Sequence, residues 1–288
     1  MHIRQTFAAF LTVAFAFATF SVAQASLPIH TYVSSIGSDT NDGTRPHPCA
    51  TFLGAYIDTA VGGTISVIDK GDYGPLTIKH SITIDGASGQ QGTIANAGSS
   101  GIYVQAGSSD TVILRHLAFY GDYYGVYADT GGNLYVEDCA FNGCTGAAVS
   151  SLALNVTVNN TIMHCGSGGY GVITTGVLSL HNDTITGGKA GVYSQAGQID
   201  IGNSVITQCN TWGIIVQGGT VSCESCMISN NAIGVYVIQG GIARLSNCDI
   251  FNNLTGLSNA GGTISSAGNN KKAGNGTPGA PNGTVTVQ

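Results

Sequence analysis

The chain has 288 residues, of which only 8% are charged; 43 are glycines, and the formal net charge is −6. Ordinary soluble domains carry about 25% charged residues. So few charges, with an acidic balance and no basic cluster, exclude a nucleic-acid surface built on Lys and Arg. Val, Ile, Leu and Tyr recur at regular intervals, which excludes a disordered linker.

The first element is a leader. Arg4 precedes an apolar run from Phe7 to Phe20 that only threonines interrupt, and Ala23-Gln24-Ala25 supplies a small-x-small cleavage pattern. This is the layout of a secretory signal over residues 1–25. The apolar run falls short of the roughly 20 residues a membrane span needs. Cleavage after Ala25 predicts a mature chain from Ser26 with no membrane span, secreted or periplasmic. Loss of Arg4 leaves a net charge of 8 − 15 = −7.

Residues 26–64 read as a cap: a strand, a polar turn and a short helix. The turn packs Asp39, Asn41 and Asp42 together, with Arg45, His47 and Cys49 close behind. A helix over Thr51–Ala60 would put Phe52, Ala55, Tyr56 and Thr59 on one face. Asp39 and Asp42 are expected to organise turn backbone. A calcium site on the same two carboxylates is the alternative, although their spacing is not that of an EF-hand loop. No other cofactor is expected.

Residues 65–264 repeat. Val112, Leu134, Val156, Leu178, Ile199, Val221 and Ala243 begin equivalent segments about 22 residues apart. A fixed period of this size, made of short β-runs without helical periodicity, predicts a β-solenoid. Each repeat holds three strands. Leu134 and Val136 point inward, Asp138 takes a tight turn, Cys139 and Phe141 point inward, and a third strand follows a longer turn. The tight-turn position reads His116, Asp138, Asn160, Asn182, Asn203, Ser225 and Asn247. Such a column can hydrogen-bond along its length, and Asn tolerates the left-handed backbone a tight turn requires. Residues 265–288, rich in Gly and Asn, read as a C-terminal cap or tail.

Eight cysteines in an exported chain raise the question of disulfides. Cys139, Cys226 and Cys248 share one inward column, and the last two are expected to stack as free thiols. Cys144 and Cys165 lie in the longer turns of successive repeats and form the disulfide candidate. Cys223 and Cys226 make a CxxC without a second pair or a histidine, so a zinc or redox role is not expected there.

With its polar turn column, the repeat resembles right-handed parallel β-helices of the pectate lyase type, and the opening segment resembles the entry caps of secreted β-helix proteins. The resemblance implies an all-β, single-stranded right-handed parallel β-helix. It also implies a working groove along the third strand and the turn before it. The outward residues there are Tyr127, Ile173, Tyr193, Ile215 and Tyr236, with Trp212 at the strand entry and Lys189 nearby. Tyr120, Tyr123 and Tyr124 extend this surface toward the cap. Tyr127, Tyr193, Trp212, Tyr236 and Lys189 are therefore the candidate glycan-binding residues.

Catalytic groups are harder to find. Lys189 is the one strong base on this groove, and Asp122 is the nearest carboxylate, three coils away. His164 and His181 stand alone, while Arg115 with Glu137 and Arg244 with Glu224 read as charge pairs on the first strand's outer face. No catalytic residue is assigned. Two readings stand: a non-catalytic exported scaffold that binds a polysaccharide or another surface, and a polysaccharide-active enzyme, a lyase before a hydrolase. The second would draw on groups in the Ile84–Val112 insertion or on Asp69, Asp72 and Asp85.

Overall fold

A computed structural model describes residues 26–86, 92–152, 155–238 and 240–286. The predicted leader, residues 1–25, lies outside the described residues. The repeat folds as a right-handed parallel β-helix. Among the described residues its three parallel sheets hold twelve, ten and nine strands. One coil runs through Asn133–Glu137 in the first sheet, Ala140–Cys144 in the second and Ala147–Ser151 in the third.

The register is the one the spacing predicts. Val112, Leu134, Val156, Leu178, Ile199, Val221 and Ala243 are successive partners along the first sheet. Each is at most 2% exposed. The second sheet stacks Phe119, Phe141, Met163, Ile185, Ile206, Ile228 and Ile250 the same way. The first two rings lie nearly parallel with centroids 4.4 Å apart. Burying such a side chain is worth about 1.5–3 kcal/mol, and the gain exists only because the next coil covers it.

Both tight corners follow one rule. A residue with left-handed backbone turns the chain, and the residue after it points into the core. At the first corner His116, Asp138, Asn160, Asn182, Asn203, Ser225 and Asn247 have φ between 49° and 58°. This is the expected polar column, but its hydrogen bonding is partial. Asn160 donates to Asp138, and Asn247 donates to Ser225 at 3.0 Å, whereas Asn203 is exposed.

The fully bonded asparagine ladder lies at the second corner, where the sequence predicts only a longer turn. Gln208, Asn230, Asn252 and Gly274 are left-handed there, and Cys209, Asn231, Asn253 and Asn275 follow them. Asn231 Oδ1 accepts the Cys209 N–H at 2.9 Å, Asn253 Oδ1 the Asn231 N–H at 2.9 Å, and Asn275 Oδ1 the Asn253 N–H at 3.0 Å. Their Nδ2 atoms donate to the carbonyls of Ile206, Ile228 and Ile250 at 2.8–3.2 Å. The amides of Asn231, Asn253 and Asn275 are thus satisfied inside the coil, where an orphan would cost about 1–3 kcal/mol.

The inward column of the first corner contains Cys139, Thr161, Asp183, Ser204, Cys226, Cys248 and Asn270. The thiols of Cys139, Cys226 and Cys248 donate to the carbonyls of Leu114, Ile201 and Cys223 at 3.4–3.6 Å. Cys226 and Cys248 are in contact, and both are free. Burial pushes the Cys139 thiol up to about 12, so it behaves as a core filler with a weak donor. Cys144 and Cys165 are partners on adjacent strands, but the expected bridge is not formed. A register shift between Asn142 and Cys144 buries Cys144 completely while Cys165 stays partly exposed.

The N-terminal strand His30–Val33 pairs with Thr64–Val67, and the helix Phe52–Asp58 packs Phe52 and Ala55 against the first coil. Asp39 accepts the N–H groups of Ala50 and Thr51 and the Thr51 hydroxyl at 2.8–2.9 Å. Thr51 in turn caps the helix through the Gly54 N–H at 3.0 Å. Asp42 accepts the Thr44 N–H and hydroxyl, so both aspartates organise the turn. At the other end Lys272 stands opposite Ile250 and donates to the Gly279 carbonyl at 2.6 Å. A charged group in a core column blocks the addition of a further coil.

Candidate functional site

The outer face of the third sheet carries two side-chain columns. One contains Tyr103, Tyr127, Ser150, Ile173, Tyr193, Ile215 and Tyr236, in register along the sheet. The other, at the strand starts, contains Tyr124, Ala147, Tyr170, Ala190, Trp212 and Ile233. In this second column aromatics alternate with alanines, so the rings recur every two coils, about 9–10 Å apart at the strand spacing.

Sequence reasoning found Tyr127, Ile173, Tyr193, Ile215 and Tyr236 of the first column but not Tyr103 or Ser150, and in the second only Tyr124 and Trp212. A strict alternation of faces hides the rest. In Tyr170–Thr174 both Gly171 and Val172 are buried, so Tyr170 and Ile173, three residues apart, face outward together. Glycine holds this kink in most coils, and Ala148 holds it in the coil between Gly125 and Gly171. A Cβ on Gly191, its counterpart one coil on, would meet Ile206 Cγ2 at 2.4 Å and the Gly213 carbonyl at 2.8 Å. The signal that could have found the column is the aromatic directly before Gly125-Val126, Gly171-Val172 and Gly213-Ile214.

The rings pair diagonally between columns. Tyr170 and Tyr193 have centroids 5.6 Å apart, and Trp212 and Tyr236 have centroids 6.0 Å apart with planes 7° from parallel. Lys189, exposed, sits beside the alanine gap between the two pairs. Its Nζ lies 5.8 Å from the Tyr170 ring centre and 5.6 Å from that of Trp212. Each contact of this kind is worth about 0.5–1 kcal/mol at an exposed site. Tyr193 also donates to Gln217. Ile215, expected on the surface, is only 7% exposed, because the larger rings of its column neighbours Tyr193 and Tyr236 flank it.

Toward the cap, Tyr103, Tyr124 and Tyr127 line a cleft of about 590 Å³ with Leu53, Pro75 and Leu76. The Tyr124 and Tyr127 rings stack at 5.0 Å, and Tyr123 meets Tyr124 edge-on at 4.6 Å. The Tyr103 hydroxyl donates to Asp129 at 2.9 Å. Asp129 is the only carboxylate among the nine strands of this sheet. Acid–base glycoside hydrolysis needs two carboxyl groups about 5–9.5 Å apart, and these strands do not supply the second.

Asp122 is not on the groove. It is fully buried at the second corner, because it follows the left-handed Gly121 and so takes the inward position. Arg115 binds Asp85 at 3.0 Å rather than Glu137. Arg244 has no ion-pair partner among the described residues. Its column is that of Ser222, whereas Glu224 lies opposite Ser246. His164 and His181 are exposed. Among the described residues no three His, Cys, Asp or Glu side chains converge as a metal site, and no helix is long and apolar enough to cross a membrane.

The family described as the right-handed β-helix region matches residues 67–205. No curated protein matches the chain in sequence. Among solved structures, pectate lyase Pel9A is 15% identical with a TM-score of 0.57, over 90% of this chain and 78% of that one. The complex of XylC with xylose is 11% identical with a TM-score of 0.60, over 84% and 70%. The fold is that of the pectate-lyase-like right-handed parallel β-helices.

Proposed function

We propose that the chain is an exported, non-catalytic β-helix that binds a polysaccharide along the outer face of its third sheet. The observation that carries this reading is the pair of diagonal ring pairs, Tyr170–Tyr193 and Trp212–Tyr236, with Lys189 between them. Sugar rings present apolar C–H faces that lie against aromatic faces, and a row of rings two coils apart offers successive platforms on the scale of a disaccharide. Lys189 adds a cation, which would favour a glycan that carries carboxylates. The fold shared with a pectate lyase and with a protein solved with xylose is in keeping with a carbohydrate ligand.

The test is retention of the mature chain on immobilised polysaccharides, uronate-containing and neutral. Retention that weakens in Tyr193→Ala and Tyr236→Ala supports the reading. Absence of retention on every glycan contradicts it. The same incubations report catalysis: accumulation of unsaturated uronate product, lost in Lys189→Ala, would make the protein a polysaccharide lyase.

A further inference from the structure

Two carboxyl groups play no part in the aromatic face. Asp122 and Asp183 are 0% and 1% exposed, and each occupies an inward corner position that asparagine or cysteine holds in other coils. Asp183 shares its column with Asn270, and Asp122 shares its column with Asn231, Asn253 and Asn275. Asp183 Oδ1 accepts the Thr161 N–H at 2.8 Å and Asp122 Oδ1 accepts the Asn96 N–H at 2.6 Å. These are the bonds that the asparagine Oδ1 atoms make. The other oxygen, Oδ2, has no partner in either residue.

The vacant bond can be named from the columns. Cys139, Cys226, Cys248, Asn270, Asn231, Asn253 and Asn275 all donate to a carbonyl 25 residues earlier. For Asp183 that carbonyl belongs to Val158, the neighbour of Leu180. For Asp122, whose coil follows an insertion, register assigns it to Ile94, the partner of Phe119. An ionised carboxylate would place a charged acceptor against a carbonyl acceptor. A carboxylic acid would donate there, as an asparagine amide does.

We propose that Asp122 and Asp183 are carried as un-ionised carboxylic acids in place of asparagine, so that protons complete the two corner ladders and their loss loosens the solenoid as pH rises. The surroundings are consistent with this. Burial pushes both carboxyls up to about 7 from an ordinary 3.8. Asp122 faces the Cys144 thiol and the charge of Asp72, which raises it further. Asp183 lies between the neutral Thr161 and Ser204, and no charged side chain among the described residues acts on it. Both groups hold a proton in the folded chain that the unfolded chain releases above about pH 4. Their stabilisation is therefore full below that pH and is lost as pH rises through about 7.

The experiment is thermal unfolding of the mature chain between about pH 4 and pH 8, for wild type, Asp183→Asn, Asp122→Asn and the double variant. Wild type should melt roughly 5 °C or more lower at the higher pH. The double variant should match wild type at the lower pH and exceed it at the higher one. A variant that keeps the wild-type slope, or melts below wild type at pH 8, overturns the proposal. A second readout needs no variant. At about pH 5.5, where ordinary carboxylates are ionised, wild type should retain the infrared carbonyl band of an un-ionised carboxylic acid and lose it by about pH 8. A spectrum without that band at the lower pH overturns it too.

Discussion

The inner corners and the outer face of the third sheet are built on the same coil register and obey opposite rules. At the second corner, Asn231 and Asn253 are buried and use both their amide oxygen and their amide nitrogen on neighbouring coils. On the outer face, Tyr193 and Tyr236 are partly exposed and stack on their diagonal neighbours Tyr170 and Trp212. A change in the first region strands polar groups with no water to take them. A change in the second removes contact area and leaves the coil intact. On the proposed reading, stability and recognition lie on different sides of one backbone.

The sharpest way to break this contrast is at Asn253. Asn253→Leu should cost about 3 kcal/mol or more, since it orphans the Asn231 N–H and the Ile228 carbonyl at about 1–3 kcal/mol each. Chemical denaturation would read it directly. Gly191→Ala comes next, at about 2 kcal/mol, because its Cβ has no room against Ile206 and the Gly213 carbonyl. Asn203→Leu and Asn230→Leu should be smaller and alike, about 1–2 kcal/mol each, since both residues are exposed and left-handed and lose mainly backbone tolerance. Unequal losses there would show that one of the two exposed side chains is bonded more strongly than the other. Smallest are Tyr193→Ala and Tyr236→Ala, which should cost under about 1.5 kcal/mol of stability while weakening glycan retention several-fold.

Much of this was legible in the sequence. The 22-residue period located the core columns residue by residue, and the left-handed corner from His116 to Asn247 was readable because Asn and Asp dominate it. The bonded ladder was not, since Asn230-Asn231 and Asn252-Asn253 are identical pairs in which only the coil geometry decides which member points in. Asp122 was misplaced on the groove for the same reason: the preceding glycine makes the turn, and the turn rotates the next side chain into the core. Tyr170 was hidden by a local break in the two-residue period at Gly171. Repetition reveals register, but a kink shared by every repeat shifts all of them together and leaves no contrast to read.

The central claim, that the third-sheet face is the working surface, rests on Trp212, which is the only tryptophan in the chain and stacks with Tyr236. Its emission can be followed while a chain beginning at Ser26 is titrated with soluble fragments of a panel of polysaccharides. The account predicts a saturable change with at least one glycan, weakened several-fold in Tyr193→Ala, whose melting temperature stays close to wild type. Emission that no glycan perturbs, or a Tyr193→Ala chain that unfolds, would contradict it and leave these rings as packing.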